Sequence, residues 1–167
     1  MSGDLDPDAT IALIDKYFGG LKPNPELPKL DLPKEAPITQ PVVKEVLGPD
    51  AESVALAWRF PGGSDKDFEI LQVVSQVLYN GKAGLIDLDL NQQQKVLNSY
   101  GYPMGLADYS ALLLGGLPKQ GQTLEEVKDL LLSEIKKLRA GEFDEKMLEA
   151  NINNFKLGEL QNMESNE

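Results

Sequence analysis

The sequence predicts an α+β fold, a two-layer sandwich with helices packed on a mostly antiparallel sheet. Two kinds of pattern carry that prediction. Val54, Leu56, Trp58 and Phe60 alternate with Ala55, Ala57 and Arg59, the period of a half-buried strand. Several other segments repeat their apolar residues every three or four positions, the period of a helix. Their order is helix, two strands, helix, two strands, two helices. With 167 residues the chain fits one domain, residues 1–167, that buries roughly two-thirds of its unfolded surface without a disulfide or metal.

The first helix starts at Asp6-Pro7, an acidic cap followed by a proline in the first turn. Ile11, Ile14, Tyr17, Phe18 and Leu21 give its apolar face, and Gly19-Gly20 ends it. Residues 22–41 contain six prolines and read as an extended connector lying over the same domain. Val42 to Leu47 reads as a strand, Gly48-Pro49-Asp50 as a turn, and Val54 to Phe60 as the returning arm of an antiparallel hairpin. Ser64 or Asp65 caps a helix carrying Phe68, Leu71, Val74 and Leu78, which stops at Asn80-Gly81. Residues 82–94 read as a short helix. Val96 to Tyr102 and Tyr109 to Leu114 form a second strand pair around Pro103-Met104-Gly105. Thr123 and Glu126 make a capping box for a helix with Val127, Leu130, Leu131, Ile135 and Leu138 on one face. Asp144 caps a last helix bearing Leu148, Ile152, Phe155 and Met163.

Composition excludes several kinds of chemistry. Acidic residues number 27 against 16 basic ones, for a net charge of −11 spread evenly along the chain, so nucleic acid is not an expected partner. There is no His and no Cys. That removes zinc sites of the usual kinds and both Ser-His-Asp and Cys-His catalysis. No apolar run has the length of a membrane span, and the first residues are not expected to form a signal peptide.

The remaining candidates each have a plain structural reading. Asp87 and Asp89, with Asp108 further on, could act as acid and base or hold a cation, as in a glycosidase using Asp87 and Asp108. A solvated edge is the preferred reading for them. Asp4, Asp6 and Asp8 open like a calcium loop, but Ala9 and Asp15 stand where Gly and Glu are required. Tyr100, Tyr102 and Tyr109 could stack on a peptide or sugar, or simply pack on a sheet. Trp58 and Phe60 read as core. Gly62-Gly63, Gly81 to Gly84 and Gly115-Gly116 read as turns, since no phosphate-loop motif surrounds them. Lys136, Lys137 and Arg139 suit the last turn of a helix. No catalytic and no metal-binding residue is assigned.

Several phrases in order resemble the insulinase/pitrilysin-like zinc metallopeptidases. They are Gly3-Asp-Leu-Asp-Pro-Asp, Lys16-Tyr-Phe-Gly-Gly-Leu, the proline-rich stretch and Val54-Ala-Leu-Ala-Trp-Arg-Phe-Pro. Gly84-Leu-Ile-Asp-Leu, the helix from Thr123 and Gly141-Glu-Phe-Asp-Glu continue the series. That family pairs a domain bearing a His-x-x-Glu-His zinc site with a second, inactive domain of similar fold, and this chain is similar to the second. The resemblance implies no cofactor in this chain and zinc in an upstream domain of the parent. It implies a role in the wall of a chamber around peptide substrates, with the remaining domains of the parent as partners. It also implies a strand before Gly3, so the chain is expected to be a piece of a longer one with an open sheet edge through which a homodimer could form. Where some members carry Arg and Tyr that hold substrate, this sequence has Leu90 or Asn91 and Leu97 or Asn98, depending on a one-residue gap. Bacterial members are often in the cell envelope, the only ground for a location. The alternative expectation is a standalone interaction subunit of the same fold.

Overall fold

The computed structural model describes residues 3–28 and 33–164. They fall into two compact units. One comprises the described residues of Met1–Pro41 and Glu159–Glu167, the other Val42–Gly158.

In the first unit, helix α1 runs over Pro7–Phe18. Asp6 caps it: its Oδ1 accepts from the backbone N–H of Asp8 at 3.0 Å and of Ala9 at 3.1 Å. The acid-rich start is therefore a helix cap and not a calcium loop. The expected apolar face is present but uncovered, and no residue of α1 is buried. Of the proline-rich connector 22–41, residues 29–32 lie outside the described residues, and the rest has neither helix nor strand.

The second unit holds the α+β core. Its strands are β1, Val54–Pro61, β2, Asn98–Gly105, and β3, Tyr109–Leu117. They form an antiparallel sheet in the order β1-β3-β2. Register runs from Val54 opposite Gly116 to Pro61 opposite Tyr109, and from Asn98 opposite Leu117 to Gly105 opposite Ser110. Helix α2, Lys66–Leu78, and helix α3, Leu124–Ala140, cover one face. The buried core between the layers contains Leu71, Leu78, Ile86, Leu90, Leu112, Leu114, Val127 and Leu131. Helix α3 is bounded as its sequence dictates. Thr123 and Glu126 form the reciprocal capping box, and Gly141 at φ 72 takes the left-handed C-terminal position. Hydrogen bonding from Thr123, backbone first and then hydroxyl, holds the Glu126 carboxyl below its ordinary value. Helix α4 spans Glu145–Glu164; Asn151 is its buried residue, and Leu148, Ile152 and Phe155 stay largely open.

Four expectations are corrected. Val42 to Leu47 is not a strand, and β1 pairs with β3 instead of forming a hairpin with it. The order Val-Val-Lys-Glu-Val-Leu puts apolar residues on both faces of an extended chain, so no single face can be buried; Val43 and Leu47 are 87% and 93% exposed. Residues 85–91 make an α-turn that widens into a π-helix, Asp87–Asn91. Strand β2 starts later than expected and contains Pro103, which an edge strand tolerates because its missing N–H would point outward. Gly115 and Gly116 lie inside β3 and are not a turn. A Cβ on Gly116 would stand 2.5 Å from Val127 Cγ1, and one on Gly115 would stand 2.2 Å from Tyr100 Cζ. Each glycine makes room for a neighbour crossing the strand.

Candidate functional site

The loop after α2 is built around two side chains. Asn80 Oδ1 accepts from the N–H of Lys82 at 3.0 Å and of Ala83 at 2.9 Å, and its Nδ2 donates to the Gln76 carbonyl at 3.1 Å. Asp87 Oδ2 accepts from the N–H of Asn80 and of Gly84, both at 3.0 Å. Asp87 is 5% exposed, so it does not sit at a solvated edge. Two amides at the loop's base need an acceptor, and the π-helix places a carboxylate there.

The other candidate acids do not join it. Asp89 takes a hydrogen bond from Lys137 at 2.5 Å. The same ammonium donates to both carboxylate oxygens of Glu134, at 2.9 and 3.0 Å, and Glu134 is 1% exposed. This trio ties the π-helix to α3. Burial pulls the Lys137 ammonium down, but its hydrogen bonds to Asp89 and Glu134 and their charges outweigh it and raise its pKa. Asp108 is exposed in the β2–β3 loop. Asp87 lies beside Asn98 at the start of β2, and the eight residues of β2 separate the two ends. At ~3.3 Å per residue that puts Asp87 and Asp108 about 25 Å apart, too far for a glycosidase pair.

A polar cleft of ≈ 310 Å³ opens over this loop, lined by Tyr79, Lys82, Asp87, Asn91, Gln92 and Asn98 among others. The structure therefore brings together Asn91 and Asn98 of the two alternatives left by the sequence. Leu90 is fully buried in the core, and Leu97 is 67% exposed and outside the cleft lining. Asn91 has little left to offer a ligand. Its Oδ1 accepts from Ser99 N–H and Ser99 Oγ, and its Nδ2 donates to the Ser99 carbonyl, all at 2.8 Å. It behaves as a one-residue strand bonded to the outer edge of β2.

The sheet face away from α2 and α3 carries the tyrosines. Tyr100 and Tyr102 stack at 6.2 Å and 15°. The guanidinium of Arg59 stands 4.9 Å from the centre of the Tyr109 ring. Tyr100 fills the space above Gly115, a packing role that alternation along β2 allowed but did not reveal. Gly115→Ala is expected to swing Tyr100 aside and abolish the near-ultraviolet circular dichroism of the stack, at a cost of about 1 kcal/mol, because the displaced ring is only half-buried.

An apolar groove of ≈ 420 Å³ lies on the opposite face. Trp58 and Phe60 of β1 and Leu112 of β3 form its floor; Ile70 and Val74 of α2 and Leu138 of α3 form its walls. Trp58 and Phe60 are thus half-buried against the core with one side facing the groove. No signal in the sequence distinguished this from full burial. Asp67 and Arg139 stand at the rim.

Among the described residues no three metal-binding side chains cluster, and the sequence has neither His nor Cys, so the donor set does not fit zinc. No helix among the described residues is long and apolar enough to cross a membrane. Comparison with known proteins gave matches of two kinds. The family model described as the peptidase M16 inactive domain matches residues 1–155. Among solved structures, the fold is similar to that of a protease from Helicobacter pylori, at 24% identity and a TM-score of 0.81. That match covers 99% of this chain and 41% of the protease chain, so the present chain spans about two-fifths of its solved neighbour. Comparison with curated proteins returned no match.

Proposed function

Because the chain belongs to the peptidase M16 inactive-domain family, we propose that it is the non-catalytic domain of an insulinase-like zinc metallopeptidase. In this reading it forms part of the wall of a substrate chamber. It positions peptides for hydrolysis by a zinc-bearing domain elsewhere in the same protein. The family match over residues 1–155 carries the reading. The unsuitable zinc donor set supports the assignment of chemistry to another domain. The longer length of the similar protease supports further domains as its partners. Positioning alone can change a rate greatly, since a held substrate has already lost its freedom of movement before the chemical step.

The reading predicts that the purified chain holds no stoichiometric zinc and cleaves no peptide. It further predicts that antibody against the chain detects, in the source cells, a band several times larger than 18.3 kDa. Tight zinc in the purified chain, or a native band near 18.3 kDa, would sink it. The second result would leave a standalone interaction subunit of the same fold.

A further inference from the structure

The loop that joins α2 to the π-helix carries the sequence's one Asn-Gly pair, Asn80-Gly81. Four of the five backbone N–H groups of residues 80–84 are bound. Those of Asn80 and Gly84 donate to Asp87 Oδ2, and those of Lys82 and Ala83 donate to Asn80 Oδ1. The fifth, on Gly81, has no acceptor among the described residues. Gly81 is exposed and stands at φ 77, so neither a hydrogen bond nor a Cβ shields its nitrogen. Water thus reaches a nitrogen that lies one residue after a side-chain amide and can attack it.

We propose that Asn80 is a site of spontaneous deamidation and that the clasp made by Asp87 sets its rate. In the reaction, Gly81 N gives up its proton and attacks Asn80 Cγ. The N–Cγ bond forms, the Cγ–Nδ2 bond breaks, and Nδ2 leaves as ammonia with a proton from water. Water then opens the cyclic imide, at Cγ to give aspartate or at the main-chain carbonyl to give isoaspartate. One water enters and one ammonia leaves, with no oxidant or reductant. Closing the ring must turn the Asn80 side chain and backbone together. The folded loop resists both. Three bonds fix the side-chain amide, among them Nδ2 to the Gln76 carbonyl at 3.1 Å, and Asp87 pins the chain on either side. The reaction therefore proceeds from an opened loop. Its products change the loop in turn. Aspartate has no hydrogen to give the Gln76 carbonyl, and isoaspartate adds a main-chain carbon between the two N–H groups that share Asp87 Oδ2. This site rests on the geometry of the loop and not on the peptidase reading.

The test compares the full chain with the peptide acetyl-Tyr-Asn-Gly-Lys-Ala-amide, a copy of residues 79–83, in one mildly alkaline buffer. Peptide mapping by mass spectrometry counts the aspartate and isoaspartate formed at Asn80. The full chain is expected to react about thirtyfold more slowly than the peptide, because only its opened fraction is competent. Asp87→Asn, which keeps an acceptor, should speed the reaction about threefold, and Asp87→Ala about tenfold. Trp58 is the single tryptophan, and its unchanged emission shows that the core of each variant stays folded. If Asp87→Ala does not fold, Asp87→Asn carries the comparison. In each folded variant the Gly84 amide should exchange its hydrogen faster by the same factor, since one opening frees both groups. The proposal fails if the full chain reacts as fast as the peptide, for then the Lys82 and Ala83 N–H groups promote attack on Cγ instead of restraining it. It fails equally if Asn80 stays intact in the folded Asp87 variants, or if their Gly84 exchange quickens while the Asn80 rate does not.

Discussion

Lys137→Met is expected to lower the stability of the fold by about 3 kcal/mol. Methionine keeps most of the apolar stem but leaves the Glu134 carboxylate buried beside no cation. The loss comes mainly from Glu134, because Asp89 and Lys137 are each about a third exposed and a pair so close to water contributes under about 1 kcal/mol. Urea unfolding should show a lower midpoint with an unchanged slope. Adding Glu134→Gln should restore at least half of the loss, since the stranded charge is then gone. A cost below about 0.5 kcal/mol for the single variant would mean that water reaches Glu134 freely. The sign of the pH dependence follows from the raised pKa. The folded chain holds the Lys137 proton more tightly than the unfolded one. Its contribution is therefore complete below the ordinary lysine value of 10.5 and disappears as pH rises through the higher folded value. Alkaline unfolding should accordingly be less steep in Lys137→Met.

Asp87→Ala should cost about 2–3 kcal/mol, because it strands the N–H groups of Asn80 and Gly84 at a buried loop base. Asp87→Asn, which keeps an acceptor, should cost about half as much. Thermal melts of the two variants check this. A catalytic carboxylate would give the opposite pattern, with stability unchanged or improved on removal, so equal stability of Asp87→Ala and the parent chain would reopen a chemical role for this acid.

Both residues show where the sequence was legible and where it was not. Helix ends could be read because their signals are local: Asp6 before Pro7, Thr123 with Glu126, Gly141 after Ala140. β1 could be read because its side chains alternate strictly. Its partner could not. Pairing Val54 with Gly116 joins residues far apart in the chain, whereas the turn signal at Gly48-Pro49 suggested the nearer segment. The glycines of β3 misled for a related reason: their role depends on Tyr100 and Val127, which only the fold brings over them. The burial of Asp87 and Glu134 was equally out of reach, because each is explained by groups on another turn or another element. The apolar groove left no trace, since residues that line it and residues that fill a core share one composition.

The π-helix at Asp87–Asn91 has a further meaning for how this chain compares with others. Its hydrogen bonds reach one residue further back than those of an α-helix, as in the bond from Gln92 N–H to the Asp87 carbonyl. One turn thus accommodates an additional residue without displacing the strand beyond it. That turn contains Leu90 and Asn91. Deleting one residue here would restore ordinary helical pitch and rotate Asn91 by about 100° away from Ser99. The outer edge of β2 would then be unsealed, so the length of this one turn governs whether that edge is closed at Ser99.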